Sequence, residues 1–331
     1  DEGLNLYRVA CPIGVIGIVF EARPDALIQI AGLCLRTGNA LILKGGSEAR
    51  LTNRFLTKLV QDVLEEEGFP RTAVQGIESR EDLQLILDLH EYIDLLIPRG
   101  SNAFVKFCME NTIIPVLGHA DGVCHIYLHA AANLAQALPI ILDAKTQATA
   151  VCNATETLLI DRAWSTDDIA KIITSLKQAG ITLYGDPWFS QNFDLPLVHE
   201  WHHEYLDMTL SLKLVDGVDE AIAHINRYGS GHTDAILTED EEVAETFMRQ
   251  VDSANVFHNC STRFADGFRF GFGAEVGIST SKIHARGPVG PEGLLSYQYH
   301  LKGSGQIVRP YVSGERQFTH RDLSSAELKP E

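Results

Sequence analysis

The sequence contains no long hydrophobic run, and its first residues do not have the pattern of a secretory leader. No stretch reaches the roughly 18 apolar residues that a membrane-spanning helix needs. The opening residues, "DEGLNLYRVACPIG", have neither the basic start nor the apolar middle of a signal peptide. We therefore expect a cytoplasmic protein with no membrane partner.

Basic residues are few relative to acidic ones, and this imbalance argues against one class of partner. The chain has 27 Lys and Arg against 44 Asp and Glu, which gives a net charge of -17. A surface of this sign repels a nucleic-acid backbone, so we expect no nucleic-acid partner. An anionic small substrate stays compatible with the composition, because the local charge in a cleft need not follow the total.

Cysteine pairs and metal-binding histidine spacings are also missing. The six cysteines contain no CxxC pair, which predicts free thiols in a reducing compartment rather than a disulfide framework or a structural zinc site. The segment "WHHEYLD" does not place two ligands on one face of a helix, and no second cluster completes a site. No metal cofactor is predicted.

The chain does contain a regular alternation of short β-branched runs and helical patterns. The segments "GVIGIVF", "ALILK", "AVQGI", "YIDLLI", "IIPVLG", "VCHIYLH", "TETLLI" and "ITLYG" predict strands, and helical patterns lie between most of them. This order is typical of a parallel sheet covered on both faces. The 331 residues predict either two domains or one large α/β unit. We expect a second α/β lobe from about residue 145, with an antiparallel or mixed strand at 209–215.

Three strand ends carry residues suited to an anionic ligand. Lys44 is followed by a glycine pair and by Ser47, and Arg99 is followed by Gly100 and Ser101. Arg23 follows the first predicted strand. Ligands of parallel sheets bind at these ends. A glycine pair after a strand is nevertheless a plain turn more often than a phosphate cradle, and no GxGxxG is present.

Two residues allow opposite interpretations. Cys152, in "TQATAVCNATETLLI", lies next to small apolar residues, as a core cysteine does. It also precedes a strand in a polar turn, where backbone N–H groups could lower its pKa and hold an oxyanion. His119, in "VLGHADG", could face a cleft or could be a hydrogen-bonded turn histidine.

Six segments together carry a resemblance to a known family. They are "GVIGIVFEARPD", "LCLRTGNALILKGGSEA", "VLGHADGVCHIY", "AVCNATETLLI", "AIAHINRYGSGHTDAILTED" and "GFGAEVGISTSKIHARGPVGPEGL". In this order they resemble the γ-glutamyl phosphate reductases of the aldehyde dehydrogenase superfamily, from Val9 to Ile307. The resemblance implies NADPH-dependent reduction of L-glutamyl 5-phosphate to L-glutamate 5-semialdehyde and phosphate, the second step of proline biosynthesis from glutamate.

The resemblance also implies catalytic residues. The nucleophilic thiol falls on Cys152, which would form a thioester with the acyl group. Val116 stands where aldehyde-oxidising relatives carry the glutamate that activates water, and Ala22 stands where they carry an oxyanion-binding asparagine. The oxyanion must then be held by backbone N–H groups, and those of Cys152 and Asn153 are the candidates.

Cofactor and substrate residues follow from the same resemblance. Lys44 matches the lysine that reaches the adenosine ribose, and Glu204 matches the glutamate that holds the nicotinamide ribose. The predicted NADP-binding residues are Lys44, Gly45, Ser47, Gly100, Ser101 and Glu204. The anionic substrate calls for cations and donors, and the residues predicted to bind it are Arg23, Arg99, Asn259, Ser261 and Arg263.

The expected fold is aldehyde dehydrogenase-like, with a Rossmann-like cofactor lobe (1–145), an α/β catalytic lobe (146–300) and a C-terminal oligomerisation arm (301–331). Family members carry a further helical segment ahead of "LYRVACPIG", so we expect a leading part of the cofactor lobe to be missing here. We expect a homodimer or homotetramer, with possible contact to glutamate 5-kinase. Two alternatives are an aldehyde-oxidising relative and an impaired fragment that binds this kinase.

Overall fold

The computed structural model describes residues 3–21, 24–78 and 82–322, without the side chains of Pro24 and Asp82. In chain order the strands are β1 (Asn5–Pro12), β2 (Val15–Phe20), β3 (Ala40–Gly45), β4 (Val74–Ile77), β5 (Leu95–Arg99), β6 (Cys124–Leu128), β7 (Thr155–Asp161), β8 (Thr182–Gly185), β9 (Thr209–Val215), β10 (Thr233–Leu237), β11 (Asn255–His258), β12 (Gly277–Ser279), β13 (Gly287–Val289) and β14 (Leu295–Lys302). The α-helices are α1 (Pro24–Arg36), α2 (Arg50–Glu66), α3 (Asp82–Asp88), α4 (Asn102–Glu110), α5 (Leu134–Thr146), α6 (Thr166–Gln178), α7 (Pro187–Phe193), α8 (Val218–Tyr228), α9 (Glu241–Gln250) and α10 (Arg309–Val312). Within the described ranges, no helix combines the length and the apolar character needed to cross a membrane.

Strands β2 to β5 form a four-stranded parallel sheet in the order β4-β3-β2-β5. Its central strand is apolar and buried, as expected for a parallel sheet with helices packed against it. The register places Phe20 beside Gly45 on one side and beside Arg99 on the other. The carboxyl ends of β2, β3 and β5 therefore meet at one edge, where the sequence predicted ligand-binding residues.

Strands β6 to β11 form a second sheet of six parallel strands, in the order β11-β10-β6-β7-β9-β8. One core contains side chains of α5, α6 and α7 together with strand side chains. The other contains side chains of α8 and α9. Two parallel sheets with helical packing confirm the predicted α/β fold class.

The prediction of an antiparallel or mixed strand at 209–215 is wrong. Strand β9 runs parallel to both β7 and β8. Its polar residues gave it the alternation of a half-exposed strand, but Thr209 and Ser211 are buried. The Ser211 hydroxyl is satisfied by a 2.8 Å hydrogen bond with the hydroxyl of Tyr205, so a small polar residue is stable on a covered face.

The sheets do not divide at residue 145, where the sequence placed the lobe boundary. Strand β6 pairs with β7, with Cys124 opposite Thr155, so the second sheet begins before α5. The segment "IIPVLG" is not a strand: only Val116 forms an isolated bridge, to Leu96. Later in the chain Val276 and Val289 return to the core of the first sheet. Hydrophobic periodicity cannot predict such a return, because it indicates which residues are buried but not which sheet they pack against.

Strands β1 and β14 belong to a separate compact unit from residues 13–294. They pair antiparallel over eight residues, from Asn5 opposite Lys302 to Pro12 opposite Leu295. The guanidinium of Arg8 lies 4.0 Å from the centre of the Tyr297 ring. The predicted arm at 301–331 therefore begins earlier, at β14, and it pairs with a strand that the sequence had assigned to the cofactor lobe.

Candidate active site

Cys152 lies in the turn between α5 and β7, half-buried at the amino end of a central strand of the second sheet. The chain approaches this turn closely at Gly122, where a Cβ would stand 2.4 Å from the Cα of Cys152. The Cys124 thiol donates a hydrogen bond to the Cys152 carbonyl at 3.2 Å. Contacts with Gly122 and Cys124, just before and at the start of β6, thus fix the backbone that carries the predicted nucleophile.

The surroundings of Cys152 favour a protonated thiol. Burial raises its pKa to about 12, and the carboxylates of Glu204 and Glu275 act in the same direction. The charge of Arg99 and the backbone N–H of Cys152 itself act in the opposite direction. Because only the thiolate is a strong nucleophile, this site needs a nearby proton acceptor.

Two histidines lie beside the Cys152 sulfur. One ring nitrogen each of His119 and His232 lies with the Cys152 Sγ in a group whose members are all within 4.8 Å of one another. The two rings meet edge to face with their centres 4.7 Å apart. Both interpretations of His119 therefore apply. The ring faces the thiol, and its Nδ1 hydrogen bonds to the Ile278 carbonyl at 2.8 Å.

The hydrogen bond of His119 fixes its tautomer. His119 Nδ1 faces a carbonyl, so it must donate, and the lone pair of the neutral ring lies on Nε2. His232 Nδ1 hydrogen bonds with the Thr233 hydroxyl at 2.8 Å, and this hydroxyl also accepts from the Asn255 amide. A hydroxyl can both donate and accept, so this contact is compatible with either tautomer of His232. The pair thus offers an acceptor at His119 Nε2, and His232 Nε2 can be a donor or an acceptor.

Asn153, whose backbone N–H the sequence predicts as an oxyanion donor, has its side chain directed to other segments of the chain. Its Nδ2 donates to the Ala265 carbonyl at 2.9 Å, and its backbone carbonyl accepts from the Thr262 hydroxyl at 2.7 Å. The side-chain oxygen is buried without a hydrogen-bond partner, and an oxygen cannot donate to an oxyanion. The backbone N–H of Cys152, the other predicted oxyanion donor, lies close enough to the sulfur to lower the pKa of the thiol.

Glu204 lies close enough to Cys152 to raise the pKa of the thiol. Its carboxylate accepts hydrogen bonds from the Asn102 side chain and from the Gly122 backbone N–H. Burial nevertheless raises the pKa of Glu204 itself. The same Asn102 Nδ2 also reaches Asp121 Oδ1 at 3.1 Å. A fixed carboxylate beside the thiol is consistent with its predicted role as a ribose ligand.

Gly100 and Ser101 lie at the amino end of α4, directly after β5. The Ser101 backbone N–H donates to Glu21 Oε2 at 2.9 Å. A Cβ on Gly100 would stand 2.5 Å from that same oxygen. A carboxylate of the chain therefore lies where the sequence predicted a phosphate of the cofactor, as the dipole of a helix amino end favours.

Lys44 and Gly45 end β3, and Ser47 begins a short 3-10 turn that leads into α2. The Lys44 ammonium donates to the Gly45 carbonyl at 2.9 Å, and the residue is only 8% exposed. Gly45 lines a cleft of about 200 Å³ at the carboxyl ends of β3 and β4, whereas Lys44 and Ser47 do not line it.

This cleft is basic along one wall. Arg50, Arg54 and Lys58 line it from successive turns of α2. Arg54 forms an ion pair with Glu78 on the opposite wall. The Oδ1 of Asn53, also in the lining, is buried without a hydrogen-bond partner. An unsatisfied acceptor and a row of cations fit the hydroxyl and phosphate groups of a nucleotide.

Two of the arginines predicted to bind substrate lie near the thiol. Arg99 donates to the Val276 carbonyl at 2.9 Å, and its charge lowers the pKa of Cys152. Arg263 donates to the Gln147 side chain at 2.9 Å and interacts electrostatically with the thiol. Burial lowers the pKa of Arg263, and an anion bound beside the guanidinium would favour its charged form.

The other predicted substrate residues are placed less directly. Ser261 caps the short helical turn that carries Arg263, since its hydroxyl accepts from the Arg263 N–H. Asn259 has its side chain bound to the backbone of Thr238, through both Oδ1 and Nδ2. The Asn259 side chain is therefore held at the end of β10. Arg23 lies outside the described residues.

Val116 places no carboxylate beside the thiol. It is half-buried and packs with the core cluster between β2, β5 and α4. Its backbone neighbours are held to Leu96 by two hydrogen bonds of 2.9 Å. The backbone at Val116 is therefore fixed in place, and the valine side chain has no acid–base function. Ala22, the other departure from the family pattern, lies outside the described residues.

Several polar residues of the site were missed by sequence reasoning. Arg50 and Arg54 follow the four-residue spacing of one helix face, which could have revealed them. Asn102 directly follows a predicted residue, Ser101. His232 and Glu275 come from distant segments with no spacing signal, and only the folded chain brings them to Cys152.

Comparisons with known proteins show what the whole chain is similar to. A model of the aldehyde dehydrogenase family matches residues 3–207. The γ-glutamyl phosphate reductase of Ruminiclostridium cellulolyticum is 53% identical over 98% of this chain and 76% of its own length. That of Acetivibrio thermocellus has the same identity and coverage. The crystal structure of the enzyme from Thermotoga maritima matches with a TM-score of 0.90 and 38% identity, over 93% of this chain and 75% of that chain.

Proposed function

From the premise that the chain belongs to the aldehyde dehydrogenase family, and within it to the γ-glutamyl phosphate reductases, we propose the following reaction and roles. The enzyme reduces L-glutamyl 5-phosphate to L-glutamate 5-semialdehyde and phosphate in proline biosynthesis. The observation that carries the chemistry is the group at Cys152: a thiol flanked by two histidines, with no carboxylate at Val116 to activate water.

The first step is removal of the thiol proton. Burial and two carboxylates keep Cys152 protonated in the resting site. The lone pair on His119 Nε2 is the acceptor, because its Nδ1 is committed as a donor to Ile278. In the tautomer that carries its proton on Nε2, His232 can then donate to the thiolate or to the oxygen that becomes negative during attack.

The second step is acyl transfer to sulfur. The Cys152 thiolate attacks the acyl carbon, a C–S bond forms, and the C–O bond to phosphate breaks, so that phosphate leaves with the bonding electron pair. Arg99 and Arg263 are the cations near the sulfur, and they can offset the charge of the phosphate and of the substrate carboxylate. Glu275 is a suitable partner for the substrate ammonium. No atom is oxidised or reduced in this step.

A nicotinamide cofactor, when bound, supplies the hydride that takes the thioester to the aldehyde. Glu204, held by Asn102 and Gly122, would contact its nicotinamide ribose. The amino end of α4, at Gly100 and Ser101, would face its diphosphate once Glu21 moves aside.

NADPH is the form of cofactor that the basic cleft supports. The 2′-phosphate that distinguishes NADPH from NADH needs cations, and Arg50, Arg54 and Lys58 provide three of them in one lining. The Asn53 Oδ1, which has no hydrogen-bond partner, belongs to a residue that lines the same cleft, and it can accept a hydrogen bond from a ribose hydroxyl. Lys44, buried behind Gly45, would act by raising the local positive potential.

Val116 protects the thioester. A carboxylate in this position would activate water and hydrolyse the thioester to free glutamate, which would waste the acyl phosphate. An apolar side chain packed into the core removes that path. The same position argues against the alternative in which the enzyme oxidises an aldehyde to a free acid.

The compartment and the partners are also part of the proposal. All six cysteines, each within the described residues, are free thiols, which suits the reducing cytoplasm. The β1–β14 arm exposes Leu6, Tyr299 and Leu301, side chains that a second copy of the chain would cover in a homodimer or homotetramer. Contact with glutamate 5-kinase stays a prediction from pathway chemistry, since the acyl phosphate is labile.

The reverse reaction tests the proposed function. The chain is incubated with L-glutamate 5-semialdehyde and NADP, once in phosphate buffer and once in phosphate-free buffer. NADPH formation that depends strictly on phosphate is the expected result. Formation without phosphate would point instead to a hydrolytic aldehyde dehydrogenase. No NADPH formation by a chain with cooperative unfolding would favour the impaired, partner-binding fragment.

A further inference from the structure

The Cys152 group has the composition of a metal site, although no step of the proposed reaction uses a metal. It combines one thiol with two imidazoles, and the ligand atoms lie within 4.8 Å of one another. Sulfur and nitrogen ligands of this kind prefer Zn²⁺ to Mg²⁺ or Ca²⁺. The three residues come from three different segments, so their meeting results from the fold and not from a local motif.

The distances are close to those that zinc requires. A tetrahedral ion with bonds of about 2.3 Å to sulfur and 2.0–2.1 Å to nitrogen needs its ligand atoms roughly 3.4–3.6 Å apart. The group is at most 4.8 Å across, so side-chain shifts of about 1 Å would suffice. Cys152 and His119 are half-buried and can make such shifts, while the fully buried His232 supplies a fixed point.

An independent observation points to a ligand here. His232 is fully buried, yet its Nε2 has no hydrogen-bond partner. Its Nδ1 is occupied by the Thr233 hydroxyl at 2.8 Å, which leaves Nε2 for the site. The Nδ1 of His119 is likewise held by the Ile278 carbonyl. Metal-binding histidines are usually oriented in this way, with one nitrogen fixed by the protein and the other directed to the ion.

We propose that Zn²⁺ binds reversibly to the Cys152 Sγ and to one ring nitrogen each of His119 and His232, and so switches the nucleophile off. On binding, the S–H bond breaks, a Zn–S bond forms and the proton passes to solvent, with no change of oxidation state. His232 binds the ion in the tautomer in which Nδ1 donates to the Thr233 hydroxyl and the Nε2 lone pair is free. A water completes the tetrahedron. The inhibitory effect rests on the proposed role of Cys152 as the nucleophile.

Inhibition and binding are measured separately. Turnover in the phosphate-dependent assay is titrated with Zn²⁺ and then restored with EDTA. Binding is followed with Co²⁺, whose bond to a thiolate gives a charge-transfer absorption that does not depend on activity. We expect His119→Ala to weaken both the inhibition, relative to its own uninhibited rate, and the Co²⁺ binding by at least about tenfold. Cys152→Ser should abolish the charge-transfer band.

Matched controls are available in His300→Ala, on the exposed arm strand, and in Cys260→Ala, a half-buried thiol. Both should leave Zn²⁺ and Co²⁺ titrations unchanged. Because His232→Ala could unfold the chain, Zn²⁺ protection of Cys152 from alkylation provides a second measurement on the unmutated chain. Equal Zn²⁺ affinity in His119→Ala, or a Co²⁺ band that survives Cys152→Ser, would overturn the site. Binding at the site without inhibition would instead contradict the nucleophilic role of Cys152.

Discussion

Gly122 and Cys152 approach so closely that no side chain fits between them. A Cβ built on Gly122 would lie 2.2 Å from the Cys152 carbonyl oxygen and 2.4 Å from its Cα. The Gly122 backbone N–H also donates to Glu204. One glycine therefore sets the position of the nucleophile and supports the carboxylate assigned to the cofactor.

Gly122→Ala should therefore impair catalysis only by displacing Cys152, because it removes no functional group. The new methyl group must displace backbone atoms, and a misplacement of about 1 Å at a reacting group can reduce the rate by roughly 100-fold. We expect kcat/KM to fall by about that factor, with a loss of about 1–3 kcal/mol in the free energy of unfolding. Gly118→Ala is the control, since its nearest atoms, in Pro98, lie 3.9 Å away. Equal rates for both variants would refute the argument.

Cys152→Ser should abolish turnover while leaving the cofactor site intact. A hydroxyl is a far weaker nucleophile than a thiolate, so we expect a loss of at least about 1,000-fold in kcat. Cofactor affinity, measured by NADPH fluorescence, should stay within a few-fold, because Cys152 does not line the basic cleft. Cys260→Ser should keep its activity. Retained turnover in Cys152→Ser would remove this residue from the mechanism.

The order of elements was predictable from the sequence because local signals are strong in a doubly covered α/β chain. Helix α6 forms between the predicted strands "TETLLI" and "ITLYG", because Ser165 caps its first turn and its apolar residues recur at helical spacing. Strand β9 was misjudged because a polar residue can be buried when a partner such as Tyr205 satisfies it.

The candidate site was predictable only in part, because its residues come from distant segments. Cys152 and Glu204 follow from family motifs, and they lie near each other. His232 and Glu275 carry no local signal. The side chain of Asn153 donates a hydrogen bond to the Ala265 carbonyl, a contact that its position beside Cys152 does not reveal. Sequence spacing does not show which polar groups are already satisfied.

Val116→Glu should divert the thioester toward hydrolysis. The substitution returns a carboxylate to the position where aldehyde-oxidising relatives carry their base, so water can compete with the reduction. We expect free glutamate to form from L-glutamyl 5-phosphate when NADPH is limiting. Val116→Gln has nearly the same size but no base, and it should release no additional glutamate. If the two variants released glutamate equally, the role assigned to this position would be wrong.

The double variant Arg50→Ala with Arg54→Ala should reduce the preference for NADPH. Both side chains line the basic cleft, and a 2′-phosphate would interact with them as a charge-assisted partner. We expect the KM for NADPH to rise about tenfold or more, while the KM for NADH changes less than about twofold. Lys106→Ala removes an exposed cation on α4 and serves as the control. An equal rise for both cofactors would place the 2′-phosphate elsewhere.

His224, on α8, should make the fold sensitive to acid. Burial, together with the charges of His125 and Lys213, lowers its pKa from 6.5 to about 3. The unfolded chain therefore binds a proton below pH 6.5 that the folded chain does not bind until about pH 3, so stability falls as the pH falls through this window. At pH 5 this one group costs about 2 kcal/mol relative to pH 7.5.

His224→Phe keeps a ring among Trp201, Tyr228 and His125 but removes the titration. It also removes a buried Nε2 that has no hydrogen-bond partner, so we expect little loss of stability at pH 7.5. Urea unfolding at pH 7.5 and 5.0 measures the effect. The unmutated chain should lose about 2 kcal/mol more than His224→Phe over this interval. Equal losses would mean that His224 becomes protonated in the folded chain without cost, through a partner or through water that reaches it.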